Sequence, residues 1–196
     1  MVSKTTRLTE LLHELDELLE ELGAPFLSHA LPGIGDDEID ALLAPSGIVA
    51  PTELREWWRW HHGARADSPL TDHHTVGPGS WSPMDIPEAL WDREDWIETL
   101  GPYDGWPPGW LPFAGAMFDQ GRLVARLEES TRDQVCVGWW YVFDVPPDEP
   151  VANSIAEVVE NFISILREGQ IVWRKEGAGY WEEGSRRTEF PRYLGL

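Results

Sequence analysis

The chain has 196 residues, 42% of them hydrophobic and 12 of them tryptophan, with a formal net charge of -20. That size and apolar content suit one globular domain with decoration, and no apolar run reaches the roughly 18–20 residues that a membrane span needs. So large an acid excess argues against direct binding to nucleic acid, which rests on cationic neutralisation of phosphates, and favours a positively charged partner.

The excess is regional. Residues 1–166 hold 9 basic and 30 acidic residues, a net of -21, whereas residues 167–196 hold 6 and 5, a net of +1. The one cysteine, Cys136, forbids an internal disulfide and fits a reducing cytosol. Its valine neighbours suggest an inert strand thiol. The opening MVSKTTRLTELLHELDEL has no hydrophobic signal core, so a cytoplasmic location is expected.

Leu8, Leu11, Leu12, Leu15, Leu18, Leu19 and Leu22 recur at three- and four-residue steps and predict an amphipathic helix over 5–22, stopped by Gly23 and Pro25. Its stripe is under three heptads long, which favours packing on the domain over a dimer seam and leaves a monomer or weak homodimer. The LPGIG turn at 31–35 lacks the strand and third glycine of a nucleotide loop. Asp36 or Asp37 is expected to cap a short helix, DEIDALLA, with Ile39, Leu42 and Leu43 inward. Consecutive carboxylates there read as dipole compensation rather than catalysis.

GIVAPTELREWWRWHHG, residues 47–63, reads as one short helix. Pro51 suits its first position and Gly63 its stop. Helical spacing puts Leu54, Trp57, Trp58 and His61 on one face, and Glu53, Glu56 and Trp60 on another. From 64 to 112 the backbone is Pro-rich and irregular, with one helix expected from Pro87 to Leu100 and Leu90, Trp91 and Ile97 sharing a face. Seven acids against Arg93 alone lie between Asp85 and Asp104, with Trp81, Trp91, Trp96, Trp106 and Trp110 interleaved or flanking. Such a mixture suits either a binding surface or a connection clamped on the core by its tryptophans.

His61, His62, His73 and His74, with Asp67 and Asp72, match no metal signature, so neither a metal nor any other cofactor is expected. The alternative is a metal-dependent hydrolase using His61, His62, His73 and Asp72. From Trp110 the period becomes two. WLPFAGAMF, GRLVARLEES and DQVCVGWWYVFDV predict three antiparallel strands, the first two joined across Asp119-Gln120-Gly121. Ser154 and Glu157 then form a capping box, opening a helix to about Glu168 with Ile155, Val158, Val159, Phe162, Ile165 and Leu166 inward. The tail from Ile171 reads as a further strand.

Several of these segments resemble one family in order. Ala50-Pro51, Leu54, Trp57-Trp58 and His61-His62-Gly63, then the LPF strand, its glycine turn and the Ser154 helix, resemble the SUKH superfamily of fungal cell-wall-assembly regulators and bacterial immunity proteins. Ala50 and His62 depart from its usual leucine and asparagine. Gly121-Arg122 and Glu128 depart from its usual acidic pattern, and no functional residue carries over from there. The resemblance spans about residues 32–168. It implies an α+β fold, a mainly antiparallel sheet with helices packed at its side and edge.

The expected organisation is an amphipathic helix and linker over 1–30, packed on the domain. A SUKH-like domain follows over 31–170, with a Trp-rich acidic insert at about 64–110, and then an extension over 171–196. In bacteria the resemblance implies a non-enzymatic immunity protein that neutralises a toxin, often a nuclease. The charge suits a cationic toxin, and the candidate contact set is Asp85, Glu88, Asp92, Asp95, Trp96, Glu98 and Asp104. Pro51, Leu54, Trp57, Trp58, His61, Gly63 and Ser154 are the structural residues of the family pattern. A scaffold or regulator of cell-wall or signalling work is the alternative reading.

Overall fold

The computed structural model describes residues 6–65, 73–76, 81–100, 106–116, 121–141, 149–176 and 179–184. Its elements are α1 Arg7–Leu22, α2 Phe26–His29, β1 Ala30–Pro32, α3 Asp36–Leu43, a 3-10 turn Ala44–Ser46, α4 Thr52–Trp60 and β2 His61–Ala64. Then come β3 Trp81–Pro83, α5 Ile86–Leu100, β4 Trp110–Ala116, β5 Gly121–Arg126, β6 Val137–Tyr141, α6 Ile155–Arg167, β7 Ile171–Arg174 and β8 Tyr180–Glu183. The architecture is α+β with antiparallel sheets throughout, in the order β3-β4-β5-β6, with β1-β2 and β7-β8 as separate ribbons. Among the described residues no helix is long and apolar enough to cross a membrane.

The sheet has two different faces, because side chains alternate along each strand. Leu123, Ala125 and Val137 point to the main core, where Leu54, Trp57, Trp58 and the apolar stripe of α6 meet them. Arg122, Val124, Trp110 and Trp140 point the other way. Leu8, Leu12, Leu15, Leu18 and Leu19 of α1 are all buried in the main core. Each contributes about 1.5–3 kcal/mol when fully buried. The stripe is thus consumed inside the chain, and no dimer seam remains on that face. Thr6 caps the helix start and Gly23 ends it at φ 68°.

Several local expectations give way to tertiary structure. Gly35 rather than an aspartate stands at the start of α3, and Asp36 instead pairs with Arg59 at 2.9 Å. Pro51 is the residue before α4, not its first. That helix ends at Trp60, since His61–Ala64 pair with Ala30–Pro32 as β2. Gly63 is therefore a strand residue at φ 95°, where a Cβ would lie 3.3 Å from both Cβ and N of Asp85. Trp81–Pro83 supplies an edge strand that the irregular insert conceals in sequence. The expected turn at Asp119-Gln120 lies outside the described residues. In the capping box Ser154 accepts from the Glu157 N–H at 3.0 Å, but Glu157 reaches the N–H of Asn153 rather than that of Ser154.

Glu53, expected on the polar side of α4, is 7% exposed. Its carboxylate accepts from the N–H groups of Val135 (2.8 Å), Ile155 (3.1 Å) and Ala156 (3.4 Å). The last two are the first residues of α6, whose free donors and positive dipole end favour an anion. One side chain thus ties α4 to α6 and to the strand entry at 135. Replacing Glu53 by Gln turns an amide N–H toward these donors and should lower the unfolding free energy by about 1–3 kcal/mol near neutral pH. Burial raises the Glu53 pKa above 4.5, the three backbone bonds opposing this only in part. The folded state therefore holds that proton more tightly than the unfolded chain does. The associated stability is complete below 4.5 and is lost as pH rises through the raised value. Urea melts of wild type and Glu53→Gln at a series of pH values should show the wild-type margin narrowing as pH rises above 4.5.

Candidate protein-binding surface

α5 is fixed at its start by two side chains. Asp85 accepts from the Glu88 N–H at 2.7 Å, an N-cap bond, and His62 Nε2 accepts from the Ile86 N–H at 3.0 Å. Pro87 follows, lacking a donor where none is needed. Ala89, Asp92 and Trp96 recur at three and four residues and face inward. Asp92 is 4% exposed and holds Arg122 Nε at 2.8 Å, while the guanidinium lies 5.2 Å from the centroid of the Trp96 ring. Trp96 is 9% exposed, packed at 4.6 Å from Trp106 and 4.4 Å from Trp140. With Trp110 and Val124 these rings form a second apolar cluster on the sheet face opposite the main core.

The outward face of α5 carries Glu88, Trp91, Glu94, Asp95 and Glu98, all exposed. Trp91 is 65% exposed, the only tryptophan among the described exposed large apolar residues. None of the four carboxylates has an ion-pair partner among the described residues. Arg93 is turned away, its Nη2 donating to the carbonyl of Pro108 at 2.7 Å. Glu88 has its pKa raised by desolvation first and by Asp85 and Asp92 next, with Arg122 opposing. The helix thus presents one exposed indole among four exposed carboxylates.

The sequence-derived contact set divides. Glu88, Asp95 and Glu98 lie on the outer face. Asp85 is a cap. Asp92 and Trp96 are corrected to interior positions, because a buried arginine and a tryptophan cluster claim them. Asp104 lies outside the described residues. Trp91, expected to share an inner face with Leu90 and Ile97, is exposed instead, since Ala89, Asp92 and Trp96 take the inner positions. Trp91 and Glu94 were missed, although the steps 88, 91, 95 and 98 mark one helix face.

The histidines of the hydrolase alternative are held apart by structural partners. His61 Nδ1 donates to the carbonyl of Leu31 at 3.1 Å and its Nε2 faces Asp16 at 3.5 Å. His62 caps α5, and the His73 ring stacks near His29 and Trp173. Asp72 lies outside the described residues. Among the described residues no group of three or more His, Cys, Asp or Glu side chains is placed to hold a metal ion.

The family model described as SMI1 / KNR4 family (SUKH-1) matches residues 33–168, more than half of the chain. The chain belongs to that family. Its SUKH-1 domain comprises α3 to α6 with the four-stranded sheet, whereas α1, α2 and β7-β8 lie outside the match. The family is generally non-catalytic, and its role is of the immunity or regulatory kind, resting on protein–protein interaction. A search of curated proteins finds no match to this chain. In the SUKH-1 pattern, Leu54, Trp57 and Trp58 are core residues, with Trp57 Nε1 donating to the carbonyl of Phe113 at 3.1 Å. Gly63 leaves room for Asp85 at the start of α5.

His62 makes this surface pH-sensitive. Burial, against weaker pulls from Asp85 and Glu38, lowers its pKa below 6.5. Folding therefore favours the neutral ring, and its stabilising bond is present above 6.5 and lost as pH falls through the lowered value. The protection of the Ile86 amide, its exchange rate relative to the intrinsic rate at each pH, should fall roughly fivefold across that interval, the equivalent of about 1 kcal/mol for a cap. In His62→Leu the same amide should show the lower protection at every pH, which hydrogen-exchange NMR would read directly.

Proposed function

We propose that this SUKH-1 protein is an immunity protein, a cytoplasmic binder that neutralises a cognate cationic toxin of the nuclease kind through the outer face of α5. The observation that supports this reading is the exposed indole of Trp91 among Glu88, Glu94, Asp95 and Glu98, none of which is ion-paired among the described residues. A nuclease presents a cationic cleft made for phosphates, and a carboxylate field suits it in sign. Long-range attraction sets the rate of encounter. A rigid aromatic at the centre of such a face is the usual energetic anchor, and an arginine stacks well on it. The Asp92–Arg122 pair and the tryptophan cluster hold the helix from behind, so the face is preorganised.

The partner is to be captured from a native lysate with the wild-type chain as bait, and its nuclease activity assayed with and without the bait. Inhibition of a cationic nuclease at equimolar ratio is the expected result. With that partner in hand, reversing Glu94, Asp95 and Glu98 to lysine should slow association at least tenfold at low salt and flatten its salt dependence. Trp91→Ala should weaken the complex by about 2 kcal/mol, roughly thirtyfold, mainly through faster dissociation. An unchanged on-rate and salt slope in the triple variant would reject the α5 face.

A further inference from the structure

A crevice runs between α1 and α4, on a different part of the molecule from the outer face of α5. Two hollows of about 230 and 240 Å³ lie along it, and Glu56 lines both. Thr9, Leu12, His13 and Asp16 of α1 face Arg59 and Trp60 of α4 across the first. Thr6 and Leu8 face Thr52 and Glu53 across the second, with Asp133 and Gln134 beside them.

Glu56 is 4% exposed, yet it is poorly supplied with donors. Its Oε2 accepts the hydroxyl of Thr6. Its Oε1 accepts no hydrogen bond among the described residues. Arg59 Nη2 stands 3.9 Å from it as an ion pair, too far for a hydrogen bond, while Nη1 of the same guanidinium donates twice to Asp36 at 2.9 and 3.1 Å. The other arginine at the crevice, Arg7, holds Glu160. Glu53 lies one turn earlier on α4 and its own donors are all backbone N–H groups. Among the described residues this buried carboxylate thus has one hydroxyl donor and one guanidinium at ion-pair distance, which leaves Oε1 able to take a further charged donor.

We propose that the crevice binds a short linear alkylamine, its ammonium on Glu56 and its methylene chain along Leu12 and Trp60. An ammonium brings three donors and a full charge to the oxygen that lacks them. The hollows are larger than a bare ion needs. Their walls combine carboxylates with apolar surface, whereas a hard divalent cation takes six or more oxygen ligands. α1 lies outside the SUKH-1 match, so this site is an addition made by the chain's own N-terminal helix.

The Trp60 indole N–H, donating to Asp16 at 2.9 Å on the crevice wall, is a built-in reporter. 1,4-Diaminobutane is titrated into ¹⁵N-labelled protein, with sodium chloride at matched ionic strength as the control and Trp60→Phe to assign the signal. A saturable shift of the Trp60 indole, absent with salt and at least tenfold weaker in Glu56→Gln, is the expected result. Equal shifts with salt, or undiminished affinity in Glu56→Gln, would overturn the proposal. Should Glu56→Gln fail to fold, Thr9→Leu fills the first hollow without touching Glu56. The shift must then disappear, and its survival would be equally decisive against the site. Failure here leaves the α5 reading intact, because neither variant touches that helix.

Discussion

The fold turns on one carboxylate. Glu53 projects from α4 beneath the first turn of α6 and takes up N–H groups that a helix start cannot satisfy from within. The same side chain reaches the N–H of Val135, where the chain enters β6. Three segments far apart in sequence are thereby set in one arrangement. An apolar residue would leave those donors buried and unpaired, a penalty comparable to a sizeable fraction of the stability of a small domain. With α4 and α6 set, Trp57, Trp58 and Phe162 close the core on one face of the sheet.

The opposite face takes up four of the twelve tryptophans. Trp96, Trp106, Trp110 and Trp140 pack edge to face and tilted, with Arg122 and Arg126 lying over the rings of Trp96 and Trp110. These rings are structural: they hold α5 against the sheet. Trp91, five residues before Trp96, meets solvent instead, because the two side chains lie about 140° apart around the helix axis. Acids divide in the same way. Asp92 neutralises a buried arginine, Asp85 caps a helix, and Glu88, Glu94, Asp95 and Glu98 are exposed with no ion pair among the described residues. The exposed acids of α5 thus sit on the side of the helix away from the tryptophan cluster that holds it to the sheet.

Much of the fold is legible from sequence because its signals are local. The seven leucines of α1, the alternation from Trp110 to Tyr141, the Ser154 cap and the apolar stripe of α6 each specify an element through short-range periodicity or a single hydrogen bond. The α+β class and the family follow from their order. The net charge, too, is a property of the chain alone, and its sign already restricts what can bind.

What a residue faces is another matter, because that depends on surfaces brought from elsewhere. Glu53 and Glu56 occupy the polar side of α4 by helical spacing, yet α1 and α6 cover that side and bury both. Gly63 reads as a helix stop, but pairing with β1 draws His61–Ala64 into a strand and gives the glycine the task of admitting Asp85. Trp91 and Trp96 are indistinguishable as residue types, and only the position of the sheet beneath α5 decides which one is sealed in. Local periodicity specifies which elements form; burial, charge pairing and exposure are decided between elements, and only their assembly determines which carboxylates are structural and which remain free to meet a partner.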